Sequence, residues 1–100
     1  MVIYNVTVKT EAAVATDYIN WLHQEHIPEI LQTGCFSHAN ILRLLDVDES
    51  EGPTFVIQYR TTTLDNYKTY LAKFAGAMRE KSFARWGDRI ITFRTVMQSV

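Results

Sequence analysis

Residues 2–9, Val-Ile-Tyr-Asn-Val-Thr-Val-Lys, decide the fold, because apolar side chains occupy every second position and the positions between them are mixed. Residues 53–62 alternate in the same way. This period of two predicts β-strands. A sheet in a small monomer usually buries one face and exposes a polar one. Since neither face is wholly polar here, we expect a second copy of the chain to cover the second face, which predicts a homodimer formed through the sheet faces.

Helical spacing replaces this alternation between residues 12 and 31. One stripe is typical of a core-facing helix and consists of Ala15, Tyr18, Ile19, Leu22 and His26. Pro28 lies inside the segment, removes a backbone donor and collides with the carbonyl of Gln24. We therefore expect a kink, or a break followed by a short helix over residues 28–32, with Gly34 as the stop signal.

The second half of the chain repeats this order of strand and helix. Residues 36–47 predict a long second strand, which the acidic turn 48–53 joins to the third strand as a hairpin. Thr63 is the expected N-cap of a second helix that bends at Gly76. Its predicted apolar stripe consists of Leu64, Tyr67, Leu71, Phe74 and Met78, and residues 89–98 predict the last strand.

The resulting order is strand, helix, strand, strand, helix, strand. It predicts an α+β fold, the ferredoxin-like βαββαβ sandwich, with a four-stranded antiparallel sheet and both helices on one face. Residues 1–100 are expected to form a single domain.

Composition excludes several classes of function. A formal net charge of -1, with no cluster of basic residues, argues against nucleic-acid binding and against attachment to an anionic membrane. The single cysteine, Cys35, excludes a disulfide framework. The first strand begins at Val2 without a charged targeting segment, so we expect a reduced, cytoplasmic protein.

Several motifs resemble the dimeric α/β-barrel superfamily, in which two ferredoxin-like subunits pack sheet against sheet. They are Asn5 on the first strand, the segment 21–28 (Trp-Leu-His-Gln-Glu-His-Ile-Pro) and Gly34. The order His26, Pro28, Gly34 is similar to the His-x-Pro pattern of EthD-like members, which are akin to the antibiotic-biosynthesis-monooxygenase-like proteins. This resemblance implies the same fold and a homodimer.

The whole length resembles an uncharacterised bacterial family of about one hundred residues. The matching segments are 3–6 (Ile-Tyr-Asn-Val), 25–29 (Glu-His-Ile-Pro-Glu), 33–36 (Thr-Gly-Cys-Phe), 84–88 (Ala-Arg-Trp-Gly-Asp) and 93–95 (Phe-Arg-Thr). Asn5 also resembles the strand-one asparagine of haem-degrading monooxygenases of the superfamily. Those enzymes take a haem-ligating histidine from the second helix, and residues 64–85 contain none, so the resemblance does not carry haem chemistry to this chain.

His26 is the candidate catalytic residue. It shares the apolar stripe with Leu22, and Glu29 lies three residues further along the helix, where a carboxylate can approach the imidazole. Such a histidine can serve as a general base or orient a substrate carbonyl. The alternative is a histidine of the core that bonds the backbone at the kink.

His23, His26 and Glu29 also have a spacing that some metal sites use. No third histidine lies nearby in sequence, so we expect no metal site, and we expect no tightly held cofactor.

Polar residues at strand centres are candidates for ligand contact, because a buried polar group needs a partner. They are Asn5, Gln58, Arg43 and Arg94. We select Asn5, Gln58 and Arg94, together with Trp21 at the helix edge, as substrate-binding residues. The alternative is that these groups bond one another across the dimer.

The sequence thus favours a small-molecule-binding protein. It leaves open whether the protein is an enzyme acting on a small carbonyl or oxidisable organic compound. The alternative function is a non-catalytic dimeric module that senses a ligand or binds another protein.

Overall fold

Eight main elements follow one another along the chain, and the computed structural model describes every residue, 1–100. They are β1 (Val2–Thr10), α1 (Ala15–Trp21), α2 (Ile27–Gln32), β2 (His38–Arg43), β3 (Thr54–Thr61), α3 (Leu64–Lys73), α4 (Ala75–Trp86) and β4 (Ile90–Gln98). The strands pair antiparallel in the order β2-β3-β1-β4. This is the predicted ferredoxin-like α+β architecture.

All helices pack on one face of the sheet, where the core lies. Even-numbered residues of β1 point to this face, and Tyr4 stacks there on Phe36 and Tyr59 with ring centroids 5.9 and 6.0 Å apart. Tyr18, Trp21 and Trp86 extend the aromatic core beneath the helices. None of the helices combines the length and the apolar character needed to cross a lipid bilayer.

The short helix expected over residues 28–32 is present as α2, but a π-helical turn stands where a break was the alternative to a kink. A π-helical turn, Leu22–His26, joins α1 to α2, and the N–H of Ile27 bonds the carbonyl of Leu22 five residues back. Pro28 occupies the first turn of α2. The wider turn lets the chain remain helical although proline cannot donate to the carbonyl four residues before it.

The second strand is shorter than predicted. It ends at Arg43, and Asp46 adopts a left-handed backbone with a φ of 58° that cannot continue a pleated strand. Leu44 makes the last hydrogen bond to β3, donating its N–H to the carbonyl of Thr54 at 2.9 Å. At the other end, Phe36 packs into the core from the loop before β2.

The long second helix is divided at Phe74, two residues before the predicted bend at Gly76. Thr63 caps α3 as predicted, its hydroxyl accepting from the N–H of Asn66 at 3.2 Å. The predicted apolar stripe is partly wrong, because Leu64 and Leu71 are exposed whereas Tyr70 is buried. Tyr70 packs against Phe36 and Tyr4. These aromatic contacts therefore determine which face of α3 is buried.

Candidate functional site

His26 is the last residue of the π-helical turn. Its imidazole stacks on the indole of Trp21, with ring centroids 4.3 Å apart and planes inclined by 17°. Trp21 is itself buried and packs edge-on against Trp86, at 5.8 Å. The turn is widened by one residue ahead of Pro28, and the stacking holds the His26 ring against a rigid aromatic wall.

His26 is neutral at neutral pH. Burial lowers the pKa of its imidazole from the usual 6.5 to about 4, because a partly buried ring is costly to charge. The negative charge of Glu29 opposes this effect, and the positive charges of Lys81 and Arg94 add to it. A neutral imidazole can accept a proton or a hydrogen bond, so the base role is open to His26 and the acid role is not.

Glu29 does not form the ion pair with His26 that the spacing suggested. Its carboxylate binds the ammonium group of Lys81, on α4. This ion pair therefore links α2 to α4 beside His26. Glu29 acts on the imidazole only through its charge.

The imidazole of His26 lines a small cavity between the helices and the sheet, here called the inner cavity. Its volume is about 30 Å³, room for about two water molecules. The wall is mainly aromatic and apolar. The lining residues that carry hydroxyl groups are Tyr4, Tyr18, Tyr59, Tyr70, Ser82 and Thr92, and the basic residues are His26, Arg79 and Arg94.

Two open clefts adjoin the inner cavity and share wall residues with it. The His26 cleft has a volume of about 360 Å³ and is lined by Trp21, Glu25, His26, Glu29, Lys81, Ala84 and Arg85. The Arg94 cleft has a volume of about 370 Å³ and is lined by Arg79, Ser82, Phe83, Gly87, Asp88, Ile90, Thr92 and Arg94. Each volume lies within the range of small-molecule sites, roughly 300–1,000 Å³.

Asn5 and Gln58 lie on the other face of the sheet. The amide of Gln58 donates to the carbonyl oxygen of Asn5 at 3.3 Å, and the amide of Asn5 donates to the hydroxyl of Thr95 at 3.4 Å. Asn40 completes this cross-strand line by pairing with Gln58 in the sheet register. We call Asn40, Gln58, Asn5 and Thr95 the polar row.

The predicted site residues therefore divide into two groups. His26, Trp21 and Arg94 lie on the helix side of the sheet. Asn5 and Gln58 lie on the opposite face, so no single cleft within one protomer is lined by both His26 and Asn5. The reason is the pleat, because neighbouring residues of a strand point to opposite faces. Arg43 joins neither group and forms an exposed ion pair with Glu49.

Sequence reasoning missed the residues that α4 contributes. Arg79 and Ser82 line both the inner cavity and the Arg94 cleft, and Lys81 lines the His26 cleft. They become part of the site only when α4 packs over β4 and the π-helical turn. No local sequence pattern predicts that α4 packs against β4 and the π-helical turn. The chain also holds no group of three or more His, Cys, Asp or Glu placed to bind a metal ion.

The family comparison covers the whole chain. The model of the domain of unknown function DUF4286 matches residues 1–100. No curated protein matches the sequence.

Solved structures with the same architecture are distant in sequence. A dimeric ferredoxin-like protein from an uncultured marine organism is 10% identical with a TM-score of 0.70, over 99% of this chain and 94% of that one. An EthD family protein from Bacillus halodurans is 9% identical with a TM-score of 0.66, over 100% of both chains. SnoaB, a cofactor-independent oxygenase from Streptomyces nogalater, is 15% identical with a TM-score of 0.66, over 98% and 92%. These similarities show the fold.

Proposed function

The chain belongs to the DUF4286 family, whose function is unknown, and we propose that it binds a small organic molecule beside His26. The observation that carries this proposal is the neutral imidazole of His26, fixed on Trp21 at the wall shared by the inner cavity and the His26 cleft. Apolar walls with a few convergent polar groups are typical of small-molecule sites. Trp21 and Arg94 are the further ligand contacts in this proposal.

The same geometry suits a base. An imidazole with a pKa of about 4 is uncharged at pH 7, so its free ring nitrogen can accept a hydrogen bond from a bound carbonyl compound. Because the lowered pKa makes the ring a weak base, it takes a proton only from a group of that compound that is itself acidic. One protein of this fold, SnoaB, is a cofactor-independent oxygenase, which supports extending the proposal to an enzyme acting on a small carbonyl or oxidisable compound. The ring nitrogen of His26 would then hold the abstracted proton.

The test uses the chain's three histidines, His23, His26 and His38. Their ring nitrogens can be followed together in a ¹H–¹⁵N NMR spectrum while small carbonyl compounds are added. We expect the resonances of His26 to shift, since it lines the cavity. His23 and His38 are exposed outside all three cavities and serve as internal references.

The matched variants are His26→Ala and His23→Ala, which remove imidazoles three positions apart on the same helical segment. Compounds that shift His26 should lose binding to His26→Ala and keep it to His23→Ala. A set of carbonyl compounds that leaves His26 unshifted, or that binds both variants equally, would contradict the proposal.

A second part of the proposal is a homodimer through the sheet faces. The face opposite the helices exposes Leu42, Ile91, Phe93 and Met97, on the two edge strands. The polar row crosses the centre of this face. A second copy related by a two-fold axis would cover the apolar flanks and set the polar rows against each other. In this arrangement Asn5 and Gln58 contact the partner copy.

The internal bonding of the polar row also favours a second candidate function, a non-catalytic dimeric module that senses a ligand or binds a protein. The amides of Gln58 and Asn5 already bond within the sheet, as polar groups in a structural interface do. Turnover of a compound that shifts His26 distinguishes the enzyme from the sensor. A cytoplasmic location belongs to either proposal and is supported by the free thiol of Cys35, the only cysteine, whereas the proposed bacterial origin rests on the family resemblance alone.

A further inference from the structure

Two arginines at the inner cavity have no carboxylate partner. The ion pairs of the chain are Lys9–Glu51, Arg43–Glu49 and Lys81–Glu29, so Arg79 and Arg94 remain unpaired. The only hydrogen bond from the Arg79 guanidinium within the chain is a long one to the hydroxyl of Tyr4, at 3.5 Å. A guanidinium has five N–H donors, and most of those on Arg79 are left for a ligand.

The two guanidinium groups approach the cavity from different elements. Arg94 comes from the edge strand β4, where it pairs with Val6 in the sheet register and so points to the helix side. Arg79 comes from α4, next to the buried Met78. The charges of both act on the phenol of Tyr70, and that of Arg94 also acts on Tyr18. Both arginines also line the inner cavity and the Arg94 cleft, so their positive charges face the same space.

This concentration of positive charge is local. The chain as a whole has 10 basic and 11 acidic residues, yet no aspartate or glutamate lines the inner cavity. Asp88 is the only acidic residue in the wall of the Arg94 cleft, and it forms no ion pair with either arginine. Two arginines without carboxylate partners, beside an apolar wall, suit a planar anion, because a guanidinium binds such an anion through two parallel hydrogen bonds.

The shape of the site limits the size of the anion. Arg79, Ser82, Thr92 and Arg94 line both the inner cavity and the Arg94 cleft, so the two spaces meet at the arginines. The cleft, at about 370 Å³, has room for a small organic molecule. Its outer wall carries Phe83, whose ring is exposed without a partner and offers a flat apolar surface.

We propose that the ligand is a planar organic carboxylate, bound with its carboxylate group between Arg79 and Arg94 and its apolar body in the Arg94 cleft. This inference rests on the proposed small-molecule site at the inner cavity, extends that site into the Arg94 cleft rather than the His26 cleft, and names its ligand class. Arg79, which no sequence pattern marked, is the second anion ligand beside Arg94. His26 faces the carboxylate end of the molecule across the inner cavity.

Binding of an acid and its neutral ester tests the inference. The probes are 4-hydroxybenzoate and methyl 4-hydroxybenzoate, followed by calorimetry and by the NMR signals of His26. We expect the acid to bind wild-type protein at least about tenfold more tightly than the ester, as a charge-assisted hydrogen bond allows. Arg79→Gln and Arg94→Gln should each lose that preference, whereas Lys68→Gln, an equal charge change on the exposed face of α3, should keep it.

The outcomes separate this inference from the proposed function. Equal binding of acid and ester, with shifts at His26, overturns the carboxylate and leaves the small-molecule site in place. An acid preference that survives Arg79→Gln and Arg94→Gln overturns the role of the arginine pair. No shift at His26 with either probe overturns the carboxylate assignment, while the carbonyl compounds above test the site separately. Arg94→Lys, which keeps the charge and removes the planar fork, should retain only part of the preference.

Discussion

At the scale of single residues, the environment of His26 turns an ordinary helical histidine into a neutral one. Stacking on Trp21 and burial beneath α4 remove water from one side of the ring. The nearest carboxylate, that of Glu29, is engaged by Lys81 and compensates only in part. The neutral state of the ring therefore depends on packing across two helical segments.

This state has a consequence for the stability of the fold. The pKa of His26 is about 4 in the folded protein and 6.5 is the usual value for an unfolded chain, so between these pH values the unfolded state binds more protons. Stability is then fully present above pH 6.5 and falls as the pH drops towards 4. The loss reaches at most about 3 kcal/mol, since one pKa unit corresponds to about 1.36 kcal/mol.

Urea unfolding of wild type and His26→Gln at pH 7 and at pH 4.5 measures this loss. Because glutamine does not titrate, His26→Gln should lose less stability than wild type between the two pH values. His23→Gln, at an exposed position of the same segment, is the control. Equal losses for wild type and His26→Gln would show that the folded protein accepts the proton without cost.

The separation of Asn5 from His26 follows from the sequence pattern. Asn5 alternates with Tyr4 and Val6, so it must leave the sheet on the other face. The contribution of Arg79 could not be predicted in this way. It reaches the cavity only through the packing of α4 against β4, and that contact has no signature in the local sequence.

At the scale of elements, a single side chain caps the start of α3. The hydroxyl of Thr63 accepts from the N–H of Asn66 at the start of α3. Thr63→Ala should lower the free energy of unfolding by about 1 kcal/mol, as the loss of an N-cap does. Chemical denaturation of Thr63→Ala and of Thr62→Ala, which alters the neighbouring exposed threonine, checks this. Equal stability of the two variants would exclude the capping role.

Element bounds were harder to predict than element types. The apolar alternation of residues 36–47 extends beyond β2, because a left-handed residue such as Asp46 leaves no trace in hydrophobic periodicity. The division of the second helix at Phe74 was predicted at Gly76, since glycine is the residue of low helix propensity there. In the structure Gly76 lies within α4 and Phe74 has the non-helical backbone.

At the scale of the whole molecule, the order of elements was enough to predict the fold. Two βαβ units around a hairpin place the helices on one face of the sheet. Because the residues of β1 on the other face are partly apolar, the sequence also predicted that a second copy of the chain covers that face. The structure gives that face exposed apolar side chains on β2 and β4 and the polar row between them. Both features fit a second copy of the same sheet.

Phe93 and Phe83 offer a matched pair for testing this interface. Phe93 is 65% exposed on the open sheet face, and Phe83 is 72% exposed on the helix side. Phe93→Lys places a charge in the proposed interface and should give monomers. Phe83→Lys makes the same change outside it and should leave the dimer intact.

Native mass spectrometry of tag-free protein with added 4-hydroxybenzoate is the most direct test of the central claim, a homodimer with one site for a small organic carboxylate in each protomer. The expected result for wild type is an assembly of two 11.6 kDa chains that carries one or two ligand masses. Phe93→Lys should appear as a monomer, and Phe83→Lys as a dimer. A wild-type monomer, or a dimer that takes up no ligand, would contradict the claim.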